Sequence, residues 1–170
     1  MDLIVAQFDG VWTLTAPTGQ WRCAIGRGGV RGDKREGDGA TPIGCWALRH
    51  LLYRPDRETR PRTALPCSPL EPNAGWCDDP EAAHYNQLVS LPYPARHEQL
   101  WREDALYDLI VVLGYNDSPP IPGAGSAIFL HVARENYEAT EGCVALAKPD
   151  LRLLLKQLGP DDRLCVKESG

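Results

Sequence analysis

The stretch Gly125-Ser126-Ala127-Ile128-Phe129-Leu130-His131-Val132-Ala133-Arg134-Glu135-Asn136-Tyr137-Glu138-Ala139-Thr140-Glu141-Gly142-Cys143-Val144-Ala145-Leu146 decides how the rest of the chain is read. Ala127 to Leu130 is apolar and too short for a helix, which predicts a buried strand ending at His131. Arg134 to Ala139 is polar and predicts a loop. Thr140-Glu141-Gly142 then brings the chain back to Cys143, and Val144-Ala145-Leu146 is again apolar. Gly142 permits close backbone approach and exposes N–H groups at the turn. A cysteine attacks as its thiolate, and an imidazole that takes the proton and forms an ion pair depresses the thiol pKa. Cys143 is therefore read as a nucleophile and His131 as its base. The bland alternative is a structural thiol beside a structural histidine, because buried cysteine is common.

This pattern resembles the L,D-transpeptidase catalytic domain of the YkuD type, whose signature is a His at a strand end followed by a Ser/Thr-x-Gly-Cys turn. Thr140-Glu141-Gly142-Cys143 matches the turn in Thr, Gly and Cys, with His131 upstream. About a hundred residues earlier, Gly39-Ala40-Thr41-Pro42-Ile43-Gly44 resembles the family's Thr-Pro-x-Gly element, which leads into a strand, here Cys45 to His50, beneath the active site. Glu141 and Ala145 depart from the common turn, which has His before the Gly and Arg or Asn two places after the Cys.

The resemblance implies a mainly β, α+β chain folded as a mixed β-sandwich. It implies attack by Cys143 on a peptide carbonyl of a peptidoglycan stem, an oxyanion held by the N–H groups of Cys143 and Gly142, and a thioester intermediate. Thr140 belongs to the same turn, and the backbone carbonyl of Val132 orients His131. An amine from a second stem resolves the thioester into a crosslink; water in its place makes the same residues an L,D-carboxypeptidase or amidase. Stem peptides and their glycan are the implied partners, with no cofactor and no metal, in the periplasm or cell envelope. The short His-to-Cys loop, Glu141, Ala145 and the Pro-rich segments resemble the proteobacterial branch that joins L-Ala in position one to diaminopimelate in position three. A sortase also places His before Cys, but its His lies further upstream and an Arg follows the Cys strand closely; Arg152 falls on a helix instead. A non-catalytic cell-wall-binding module is the alternative outside enzymology.

The sequence of 170 residues, 43% of them hydrophobic, is long enough to bury a core, and residues 1–170 read as one domain. A net charge of −5 argues against a nucleic-acid partner. No apolar run approaches the roughly 20 residues of a membrane span, and Met1 to Val5 lacks the features of a secretory signal. Neither a CxxC nor a His at finger spacing is present, so a zinc site is not expected. Of the six cysteines, Cys67 and Cys77 flank a Pro-rich loop and form the pair to test for a disulfide.

Leu3 to Phe8, Val11 to Ala16 and Trp21 to Gly26 read as a strand meander separated by Asp9-Gly10 and Pro17-Thr18-Gly19, with Trp12 and Trp21 packing on the core. Gly26 to Leu48 is glycine-rich yet fits neither phosphate-loop pattern, and its basic part, Arg27 to Arg35, reads as a solvated loop. Arg54 to Pro80 contains six prolines and reads as a long loop or a lid over Cys143. Trp76, and the run His84-Tyr85-Asn86, supply groups of the kind that line peptide or sugar clefts. His97 to Asp104 reads as a short helix, and Leu109 to Leu113 as a central strand buried on both faces. Tyr115, Asn116, Arg134 and Glu141 lie near the predicted site in sequence and are expected substrate contacts. Leu151, Leu154, Leu155 and Leu158 recur at helical spacing, with Asp150 as the expected cap and Gly159-Pro160 as the stop. Arg163 to Lys167 closes the chain as a strand.

Overall fold

Asp9 and Gly10 both take positive φ, as a tight two-residue hairpin requires, and join β1 (Asp2–Phe8) to β2 (Val11–Ala16). β3 (Gly19–Ala24) completes the expected meander. The computed structural model describes residues 1–168. After the meander come β4 (Val30–Arg31), β5 (Thr41–Pro42), β6 (Gly44–Tyr53), β7 (Cys67–Pro69), β8 (Ala74–Cys77), β9 (Leu88–Ser90), β10 (His97–Gln99), β11 (Leu109–Leu113), β12 (Phe129–Val132), β13 (Val144–Leu146), α1 (Lys148–Leu155) and β14 (Arg163–Val166). The fold is mainly β, with one α-helix among the described residues.

The main sheet runs β11-β12-β13-β3-β2-β1-β14-β6-β7, and β6 also pairs with β11, so the hydrogen bonding returns on itself. β6 does this by length: Gly44 to Ala47 pair with β14, and Leu48 to Tyr53 pair with β11. A strand shared in this way turns a sandwich corner. Between the faces lie Leu3, Val5, Leu14, Leu51, Val111, Leu130 and Leu146, together with Leu151, Leu154 and Leu155 of α1. Each fully buried Leu contributes about 1.5–3 kcal/mol relative to an exposed one. Trp12 and Trp21 pack half-buried on the flank of this core.

A separate three-stranded sheet, β10-β8-β9, covers the outer face of β11 and β12. Side chains alternate across a strand. Ile110 and Phe129 therefore join Leu70, Trp76, Leu100 and Tyr107 in a second cluster, while Val111 and Leu130 join the first. That double burial is why Leu109 to Leu113 is continuously apolar.

Four local expectations are corrected. His97 to Gln99 is a strand, because pairing to Cys77, Trp76 and Gly75 of β8 outweighs local helix preference. Residues 54–80 include β7 and β8 and so are not one long loop. Asp150 does not cap α1; Ala147 occupies that position without a side-chain bond, and a proline stands in the first turn. Cys67 and Cys77 are free, since β7 pairs in the main sheet and β8 in the small one, and the disulfide instead joins Cys45 to Cys165 across paired positions of β6 and β14.

Ion pairs around the buried Asp108 and the half-buried Glu58 hold α1 in place. Lys148 donates to Glu58 at 2.8 Å and to Asp108 at 2.6 Å, Arg57 reaches Asp108 at 3.0 Å, and Arg152 reaches Glu58 at 2.5 Å. Among the described residues, no helix is long and apolar enough to cross a membrane.

Candidate active site

β12 and β13 run parallel, with Leu130 opposite Val144 and His131 opposite Ala145, so Cys143 stands at the mouth of β13 beside Phe129. The turn that delivers it is tightly determined. The Thr140 hydroxyl donates to the Cys143 carbonyl at 2.7 Å and accepts from the Gly142 N–H at 3.1 Å. The Thr140 N–H donates to the Ile25 carbonyl at 2.9 Å, and the Arg27 N–H donates to the Thr140 carbonyl at 2.8 Å. Gly142 has φ of 137°, and a Cβ there would lie 2.8 Å from the Ala40 carbonyl oxygen. The glycine-rich segment is thus a floor under the turn, as the Thr-Pro-x-Gly resemblance implies. Thr41 takes part by accepting the Gly26 N–H at 2.8 Å.

Gly142 differs from its expected role. Its N–H is already bonded inside the turn, whereas the Cys143 N–H has no partner among the described residues. The turn therefore offers one free donor next to the sulfur.

Cys143 is 6% exposed, and its thiol is hydrogen-bonded in both roles. It donates to the Ala127 carbonyl at 3.2 Å and accepts the Phe129 N–H at 3.4 Å. Ala127 is held with φ of 54°, a costly conformation for a residue with a Cβ. Asn86 fixes it. Its carbonyl oxygen accepts the Ala127 N–H at 3.0 Å and the Trp76 indole N–H at 2.9 Å, and its amide donates to the carbonyls of Tyr115 and Asn116. All four bonding positions of this buried amide are used.

His131 is 4% exposed, and its Nδ1 lies 2.9 Å from the Val132 carbonyl. A carbonyl can only accept, so Nδ1 carries the hydrogen and Nε2 keeps its lone pair. Burial drives the imidazole pKa down to about 4, against the opposing pull of the Val132 and Leu106 carbonyls. Burial, reinforced by the charge of Glu98, pushes the Cys143 thiol up to about 12. Both shifts favour the neutral forms, and no hydrogen bond joins the thiol to the ring. Desolvation works against the expected resting ion pair, because it penalises both charged forms.

Cys143 and His131 share a cavity of about 500 Å³ with Lys34, Glu36, Glu98, Arg102, Tyr107 and Ser126. The Tyr107 ring meets the His131 ring edge-on at 5.2 Å, and its hydroxyl donates to Glu98. Arg134 and Glu141 also line the cavity, paired respectively with Glu138 at 3.7 Å and Arg27 at 2.9 Å. Lys34 is buried and paired with Asp38 at 2.6 Å, so the basic stretch is not wholly solvated.

Three expected substrate contacts lie outside this lining. Trp76 packs edge-on against Phe129 at 5.0 Å and lines a different cavity, with His50 and Leu70. Tyr115 packs on Trp46 and donates to the Ala124 carbonyl at 2.5 Å. Asn116 ties Ile121 to Gly125 through three hydrogen bonds. All three support the wall rather than form it. Lys34, Glu36, Glu98, Arg102, Tyr107 and Ser126 were not singled out by the sequence, and no motif or period marks them. Among the described residues no group of His, Cys, Asp and Glu could hold a metal ion.

No curated protein and no solved structure matches the chain. The model of the L,D-transpeptidase catalytic domain, YkuD, matches residues 7–166, and the chain belongs to that family, whose members are acyltransferases acting on peptidoglycan.

Proposed function

We propose that the protein is a cysteine-dependent L,D-transpeptidase that crosslinks peptidoglycan stem peptides, with Cys143 as nucleophile and His131 as general base. The observation that carries this reading is the Thr140 to Cys143 turn. It sets a thiol and one unpartnered N–H side by side in a cavity shared with a histidine whose Nδ1 is already committed. A stem carbonyl over the sulfur places its oxygen against the Cys143 N–H. Nε2 of His131 takes the thiol proton as sulfur attacks, then returns it to the departing amine, leaving a thioester on Cys143. Burial disfavours charge on either partner before substrate binds, so charge develops with substrate in place and water excluded.

Resolution of the thioester by the side-chain amine of a diamino acid gives the crosslink. We assign the link to L-Ala in position one and diaminopimelate in position three, on the strength of the short His-to-Cys loop and of Glu141 and Ala145. Residues 1–170 act as one domain, in the periplasm or cell envelope. The Cys45–Cys165 disulfide supports that location, because such bonds persist in oxidising compartments.

The test is incubation of the protein and a Cys143→Ala variant with defined disaccharide peptides, followed by mass analysis of the products. Dimers made by the parent and absent with the variant support transpeptidation, and fragment masses separate a 1,3 from a 3,3 link. Shortened stems without dimers make the protein a peptidase. Unchanged substrate in both samples favours a binding module.

A further inference from the structure

Most charged side chains in the Cys143 cavity are already matched. Lys34 pairs with Asp38, Arg102 with Asp104, Arg134 with Glu138, Asp78 with Arg96 and Glu141 with Arg27. Glu98 is different. Among the described residues it has no cation partner, and its carboxylate is held by the Tyr107 hydroxyl. Tyr107 in turn packs against both His131 and Phe129, the residue whose N–H bonds the Cys143 sulfur. Glu98 is on β10, in register with Trp76 of β8, so it projects from the small sheet over the site and not from the wall that carries Cys143. A half-buried carboxylate left without a cation favours a ligand that supplies one.

We propose that Glu98 is the acceptor subsite: it binds the ammonium group of the incoming diamino acid and removes a proton from it. This rests on the transpeptidase reading. An ammonium ion has no lone pair, so it must lose a proton before attacking the thioester. Glu98 accepts that proton, and the free amine forms a C–N bond to the thioester carbonyl carbon. As the tetrahedral adduct collapses, the C–S bond breaks, and the second nitrogen-bound proton passes through His131 to the departing sulfur. Glu98 then releases its proton to solvent. Burial holds the Glu98 carboxyl above its ordinary value, toward the Brønsted match that proton removal from an amine favours. Glu36, which accepts from the Tyr85 and Ser126 hydroxyls, also lines the cavity, has no cation partner among the described residues, and adds to the preference for a positive acceptor.

The test measures how the preformed thioester partitions between acceptor and water in the parent and in Glu98→Gln, which keeps an oxygen for Tyr107. Two acceptors are used: a diamino acid stem peptide, cationic at neutral pH, and hydroxylamine, which is uncharged there. We expect Glu98→Gln to lower the partition ratio at least about tenfold for the diamino acid, with a raised KM for it, and to leave the hydroxylamine ratio within about twofold. An unchanged ratio for the diamino acid overturns the proposal, and so does an equal loss with both acceptors. A parent protein that forms no thioester overturns the underlying transpeptidase reading instead, an outcome separate from either of these.

Discussion

One wall of the cavity, β12 with the turn from Thr140 to Cys143, is held by backbone bonds and glycine geometry. The facing wall, β8 to β10 with Arg102 and Tyr107, is held by charged and aromatic side chains and carries the cation-free Glu98. The first fixes the sulfur, the free N–H and the ring nitrogen within narrow limits. The second surrounds them with charge, and Glu98 and Arg102 act on the Cys143 and His131 protonation from there. In the proposed mechanism bond making falls to the first wall and choice of substrate to the second.

Breaking the rigid wall has the largest effect. His131→Gln should reduce thioester formation about 10²–10⁴-fold in a single-turnover assay, the usual contribution of a general base. A loss under tenfold contradicts the assignment. The same residue makes stability depend on acid. Its folded pKa, about 4, is below its unfolded value of 6.5, so below pH 6.5 the unfolded chain binds a proton that the folded chain refuses. Stability from this group is complete above pH 6.5 and falls toward pH 4, by about 3 kcal/mol in all. Denaturant unfolding at pH 7.5 and pH 4 should show a loss that is smaller by about this amount in His131→Gln than in the parent.

Gly142→Ala comes next. The positive φ and the approach to the Ala40 carbonyl should cost about 1–3 kcal/mol of unfolding free energy. Acyl transfer should fall with it, because the turn sets the Cys143 N–H. The smallest effect belongs to the rim, where both partners of the Arg27–Glu141 pair are more than half exposed. Arg27→Ala should change stability by less than about 1 kcal/mol in the same unfolding measurement.

The rigid wall was also the part that could be read in advance. Ala127 to Leu130 and Val144 to Leu146 are apolar runs flanking His131 and a Thr-x-Gly-Cys turn, and the strand forms two residues later than the first run suggests, over Phe129–Val132. The hairpin at Asp9-Gly10 and the doubly buried β11 were visible for the same reason. In the other wall β10 reads His97-Glu98-Gln99, wholly polar, so no apolar run marks it as a strand. Glu98 therefore lay hidden in a segment with helix-like composition. The disulfide between Cys45 and Cys165 spans 120 residues, and no spacing rule reaches so far. Trp76, Tyr115 and Asn116 had suitable chemistry, but composition does not tell a side chain that lines a cavity from one that braces its wall.

Acyl transfer from Cys143 is tested most directly by the mass of the intact protein after brief exposure to a stem-peptide donor. The account predicts that the parent gains the mass of the acyl fragment, that hydroxylamine removes it, that peptide mapping places it on Cys143, and that Cys143→Ala gains nothing. Equal adducts on parent and variant, or a parent that turns over donor with no adduct at Cys143, would contradict it.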